Sequence, residues 1–145
     1  MKRLLYIICA IALCCTSCNK NEEVTENVDL SGKYGVYFSI PVTPAYTVNK
    51  EIQIVRNNDG SYKVEGEEPM EDATFEVLQN KKYVCFSIPI RDLKHNNQDY
   101  YFSLSATLKY NGGKMSLTHC FYYMTVQNSH DDKSGQLSSF RLRRL

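Results

Sequence analysis

Residues 100–110 alternate without a break. Tyr100, Phe102, Leu104, Ala106, Leu108 and Tyr110 fall on one phase, and Tyr101, Ser103, Ser105, Thr107 and Lys109 on the other. Successive side chains of a strand point to opposite faces, so this stretch puts one apolar face on a core and shows the other to water. Each large apolar side chain buried this way contributes roughly 1.5–3 kcal/mol. A slip of one residue would expose them all, so the pattern also sets the register. Asn111-Gly112-Gly113 follows. Asparagine and glycine accept positive φ, which a tight hairpin needs. The returning strand spans Lys114–Val126.

The same reading extends along the chain. Lys50–Arg56 and Ser61–Glu65 join through Asn57-Asn58-Asp59-Gly60, and Ala73–Leu78 and Lys82–Ile90 join through Gln79-Asn80-Lys81. Tyr34–Ile40 in front and Gln136–Arg143 behind complete eight strands. No apolar stripe of helical period runs longer than one turn. The expected fold is all-β: an eight-stranded antiparallel meander closed as a barrel, with a two-sheet β-sandwich as the alternative. An open meander would leave two bare edges. Eight strands close around side chains or one small ligand.

The N-terminus has another character. Met1-Lys2-Arg3 is basic, Leu4–Cys15 is a run of twelve apolar residues, and Thr16-Ser17-Cys18 ends it with small residues and a cysteine. Twelve residues span roughly 18 Å as a helix, too short for a hydrocarbon core of about 30 Å. This is the layout of a secretory signal, and the cysteine at the cut makes it resemble a bacterial lipoprotein signal. The resemblance implies cleavage before Cys18, lipid (palmitate among the acyl chains) on its sulfur, and an outer-membrane location with possible exposure at the cell surface. Lys20, Glu22 and Glu23 resemble a surface-export signal of Bacteroidetes-type lipoproteins. The expected organisation is residues 1–17 as signal peptide, 18–28 as lipidated cysteine and flexible tether, and 29–145 as one β domain.

Charge excludes one class of partner. Without Lys2 and Arg3 the chain carries 15 basic against 16 acidic side chains, so no electrostatic nucleic-acid binder is expected. Arg141, Arg143 and Arg144 cluster near the C-terminus and read as a solvated end or as packing arginines of the last strand. Four of six cysteines lie in residues 1–18. Of the others, Cys85 and Cys120 sit on meander strands with one strand between them, roughly 9.6 Å apart. That exceeds the roughly 7 Å Cα separation a disulfide spans, so free thiols are expected.

The sequence offers no catalytic constellation. His95 and His130 fall in polar loops, His119 adjoins Cys120 on a strand with its side chain on the opposite face, and no metal-ligand spacing or nucleophile elbow occurs. Glu65, Glu67, Glu68, Glu71 and Asp72 form an acidic stretch, but Pro69 and Met70 interrupt it and it reads as a solvated loop. No enzyme, cofactor or metal is expected. Leu117–Val126 is the irregular segment: Phe121 and Tyr123 on one face, Tyr122, Met124 and Val126 on the other, both apolar. Such a strand is covered on both sides or offers a patch to a partner.

Asp29-Leu30-Ser31-Gly32-Lys33-Tyr34 resembles the opening of lipocalin-like (calycin) domains, where a glycine precedes an aromatic at the entrance of the first strand. In that family the aromatic is usually tryptophan, which this chain lacks. The chain is thus similar to small lipocalin-like lipoproteins of the Bacteroidetes type. The resemblance implies that Tyr34 takes the aromatic position and that Arg141 or Arg143 packs on it. Two functions follow as expectations. One is a non-enzymatic binding module whose inner residues, among them Phe38, Ile54, Phe86, Phe102 and Leu104, hold a small apolar or amphipathic ligand. The other is a surface lipoprotein that binds a glycan, a partner lipoprotein or an outer-membrane protein through exposed tyrosines, Tyr101 and Tyr122.

Overall fold

The computed structural model describes residues 28–78, 82–111 and 113–145. They form nine strands and no helix: β1 (Gly32–Ile40), β2 (Tyr46–Arg56), β3 (Tyr62–Gly66), β4 (Thr74–Val77), β5 (Tyr83–His95), β6 (Gln98–Asn111), β7 (Lys114–Val126), β8 (Asp132–Gln136) and β9 (Arg141–Arg144). All pairs are antiparallel. One sheet has the order β3-β2-β1-β9, the other β4-β5-β6-β7-β8. The hydrogen-bonded ladders of the described residues make two sheets rather than one closed ring, an arrangement shared by a sandwich and an opened barrel.

Nine strands replace the expected eight because the last expected strand, Gln136–Arg143, is divided. Its beginning ends β8 on the second sheet, and its end forms β9, which crosses to pair with β1. Leu137-Ser138-Ser139-Phe140 makes the crossing. Leu137 N–H still donates to Cys120 O (2.9 Å), and the Ser139 hydroxyl accepts from Ser39 N–H (3.0 Å) on β1. Leu137 and Phe140 are both buried. A strand would put residues of odd and even number on opposite faces, so burying 137 and 140 together requires the chain to turn.

The core lies between the two inner faces. Phe38 of β1 stacks on Phe102 of β6 at 5.9 Å between ring centroids and 8° between planes, and Phe140 sits 6.5 Å from Phe38 and 5.9 Å from Phe86. Such pairs add about 0.5–1.5 kcal/mol beyond burial alone. Met70 fills the core from the β3–β4 connection, where the acidic stretch wraps outward around it. Gly66 makes room: a Cβ there would stand 2.8 Å from Met70 Cβ and 3.0 Å from Ile52 Cγ2.

Three local devices shape the second sheet. Asn96-Asn97, at φ 50° and 60°, turns β5 into β6 as a two-residue hairpin, the I′ geometry that asparagine tolerates. A bulge at Arg91-Asp92 shifts the β5–β6 register, and Gln127 Nε2 binds Arg91 O and Asp92 Oδ1 there. A second register shift on the β6–β7 ladder leaves Thr118 unpaired between His119 and Leu117. It inverts the facing of β7: Leu117 and Met115 oppose inward Leu108 and Tyr110, while beyond it Cys120, Tyr122 and Met124 face inward. The apolar character of both faces of Leu117–Val126 arises partly from this inversion.

Candidate functional site

The site sits on the outer face of β4–β7, where ladder register brings distant residues into rows. Thr74, Ser87, Ser105 and Phe121 form one row, and Pro89, Ser103 and Tyr123 the next. Small side chains on β5 and β6 leave a shallow trough, and large rings on β7 make its wall. The trough encloses about 420 Å³ and is bounded at its far side by Asp72 and Thr74. Ser87 Oγ donates to Ser105 Oγ at 3.5 Å, so hydroxyls pave the floor. Pro89 lacks an N–H, and it is tolerated because β4 ends opposite Ser87, which leaves β5 without a neighbour on that side.

The wall is aromatic and exposed. Phe121 keeps 48% of its surface in solvent and Tyr123 keeps 39%. Tyr101 meets Tyr123 at 6.2 Å between ring centroids, and His119 meets Phe121 at 5.4 Å. Phe121 and Tyr123 therefore stand along one side of the trough, with His119 beyond Phe121 and Tyr101 beyond Tyr123. Desolvation, and then a hydrogen bond to Asp132, raises the Tyr123 phenol above its ordinary range. At the trough's end Asp72 Oδ2 pairs with Arg91 Nε at 3.6 Å, an exposed pair of little energetic weight.

Of the two tyrosines expected to act together, Tyr122 borders the trough from the inward phase of its strand, and Tyr101 reaches the wall only through its contact with Tyr123. Tyr122 is half-buried and faces inward, its ring stacked on Phe102 at 6.1 Å and 16°. It also covers Gly135 on β8, where an added Cβ would meet the Tyr122 ring at 3.3 Å. Alternation forces the split: Tyr101 opposes Thr125, in phase with Tyr123 and out of phase with Tyr122. Tyr123 and Phe121 are the residues that the paired choice of Tyr101 and Tyr122 missed. Their shared face could be read along β7, but its alignment with Ser103 and Ser105 follows only from the register shift at Thr118.

The expected inner residues are the centre of the core. Phe38, Ile54, Phe86, Phe102 and Leu104 are all buried and belong to one apolar cluster, into which Phe140 and Met70 also pack. Cys18 lies outside the described residues. Cys85 and Cys120 are free, as strand order required, with Cys120 buried and Cys85 half-buried on the outer face, its Sγ 3.5 Å from Ser105 Oγ. Burial pushes the Cys120 thiol up to about 12. His95 is not a solvated loop residue: it ends β5, packs edge-on against Tyr46 at 5.9 Å, and keeps a buried Nε2 without a hydrogen-bond partner. The partner of Tyr34 is neither Arg141 nor Arg143 but Arg144, its direct cross-strand neighbour, whose guanidinium also lies over Gly32.

No family model matches this chain, and neither a curated protein nor a solved structure matches it. Among the described residues no three His, Cys, Asp or Glu side chains gather where they could hold a metal ion. No described helix is long and apolar enough to cross a membrane.

Proposed function

We propose that this chain is a lipid-anchored envelope protein whose outer sheet face binds a glycan. One observation carries the binding reading: a wall of exposed rings stands beside a trough floored by hydroxyls. A sugar ring has an apolar C–H face and a polar rim. The first stacks on aromatic faces, and the second exchanges hydrogen bonds with serine hydroxyls, which donate and accept, and donates to a carboxylate such as Asp72, which accepts. The lining of the trough includes no lysine or arginine, so a neutral glycan suits it better than an acidic one. The packed inner cluster favours this surface over an internal apolar ligand.

The anchor rests on the sequence layout before Cys18, and acylation there would hold the domain at the outer membrane by the tether of residues 18–28. The two sheets read best as halves of an opened meander barrel, because β9-β1-β2-β3 and β4-β5-β6-β7-β8 continue one another in chain order. The lipocalin-like resemblance fits such a ring.

A panel of immobilised glycans probed with the protein tests the reading. Phe121→Ala with Tyr123→Ala should weaken retention at least tenfold, an energetic loss of about 1.4 kcal/mol or more, with an unchanged melting curve. Full retention by the double variant would remove the wall from the site. Capture of a protein in place of any glycan would assign the face to a partner. Metabolic palmitate labelling, lost in Cys18→Ser, tests the anchor separately.

A further inference from the structure

The seam between the two sheets holds a second recess with different chemistry. β8 pairs with β7 only from Phe121 to Thr125, while β9 pairs with β1. The first half of β7, Lys114–His119, therefore faces β9 across a gap with no ladder. A recess of about 280 Å³ opens in this gap, at the small end of ligand pockets. Its floor is apolar, from Leu30, Met115 and Leu142, with the rings of Tyr34 and Tyr110. Its remaining charged lining is cationic throughout: Lys114, Arg143 and Arg144.

Three features make this more than a surface cluster of basic residues. Arg144 is fixed, because its Nη2 donates to Ser31 O at 2.7 Å and its guanidinium packs over Gly32, whose φ of +143° suits glycine. The nearby carboxylate, Asp29, is already engaged by Ser31 N–H (2.9 Å) and the Ser31 hydroxyl (2.8 Å), and these bonds hold it below the usual carboxylate range. The bulge at Thr118 turns Met115 and Leu117 towards the seam where β8 does not cover them, and Leu117 stays exposed there. An apolar floor beneath a cationic rim selects a molecule with the same two parts.

We propose that the seam recess binds a small amphipathic anion, a carboxylate or phosphate head on a short apolar body. The head meets Lys114, Arg143 and Arg144, with the planar guanidinium forks suited to either group. The body displaces water from Met115, Leu142 and Leu30. The site is separate from the glycan face, with which it shares no lining residue.

The test is calorimetric titration of the full protein with octanoate, octyl phosphate, octanol and inorganic phosphate. The two octyl anions should saturate in the sub-millimolar range and bind more weakly as salt rises. Octanol and inorganic phosphate should each bind at least tenfold more weakly. Lys114→Gln with Arg143→Gln should cost at least tenfold for the anions, and Tyr123→Ala should change nothing. Absence of saturation, equal binding of octanol, or full binding by the Lys114/Arg143 variant would overturn the proposal. Co-sedimentation with phosphatidylglycerol vesicles but not phosphatidylcholine vesicles would identify a lipid headgroup as the source. Binding of octyl phosphate without co-sedimentation would identify a free amphiphile.

Discussion

Tyr122 and Tyr123 are neighbours in the chain and belong to opposite sides of the second sheet. The inner side is apolar and built of rings packed on rings: Tyr122 on Phe102, Phe102 on Phe38, Phe140 between Phe38 and Phe86. The outer side places comparable rings, Phe121 and Tyr123, beside serines and leaves them in water, with Tyr101 half-buried next to Tyr123. Aromatic content alone does not separate a core from a binding face; what lies across the ladder does. Inside, a ring meets other large side chains. Outside, it meets small hydroxyl-bearing ones and keeps a free face.

The largest effect that sharpens this contrast should come from Phe102→Ala, which empties the middle of the stack and should cost about 3–5 kcal/mol in denaturant unfolding. Gly66→Ala tests packing from the other sheet. The new methyl meets Met70 and Ile52 at contact distances too short to keep, so a loss of about 1–3 kcal/mol is expected. Tyr122→Ala should follow at about 1–3 kcal/mol, through lost contact with Phe102 and Gly135, and Tyr123→Ala should stay within about 0.5 kcal/mol. If those two tyrosines prove equally costly, the division between the faces fails.

Titration provides a further check. Cys120 is buried with its thiol raised to about 12 from an ordinary 9.0. A group whose folded pKa is raised contributes stability that is intact below its unfolded value and lost as pH rises through the folded one. The melting temperature should therefore fall as pH climbs from about 9 towards 12. Cys120→Ala should flatten that slope while lowering the melting temperature at neutral pH. Tyr34, raised first by burial, adds a component in the same direction above its unfolded value. The smallest effect is a labelling difference with no cost in stability: an alkylating reagent at neutral pH should modify half-buried Cys85 in the native protein and reach Cys120 only after unfolding.

Much of the fold could be read along the chain because strand periodicity is a local property. Tyr100–Tyr110 shows its buried phase in six residues, and Asn111-Gly112-Gly113 announces the return. The Asn96-Asn97 hairpin was missed because it lacks the glycine that usually marks a tight turn, and positive φ at two asparagines is visible only in the backbone. The split of the last strand was hidden because Gln136–Arg143 carries no glycine or proline; burial of Phe140 from the side is a demand of the core, not of the segment. For the candidate site, Tyr101 could be read from its own strand. Its companions needed the cross-strand register, which the bulge at Thr118 shifts by one residue.

The sequence by itself determined the strand content and the inward phase of most strands, since both depend on side chains alternating at a fixed period along one strand, and the separation of Cys85 from Cys120, since one strand lies between theirs in chain order. Only the tertiary structure decided that Arg144 meets Tyr34, that β9 leaves the second sheet for the first, and that a cation-rimmed seam opens where β8 stops short. These depend on which strand edges find partners and on how large side chains fill the space between sheets, and no local pattern encodes either.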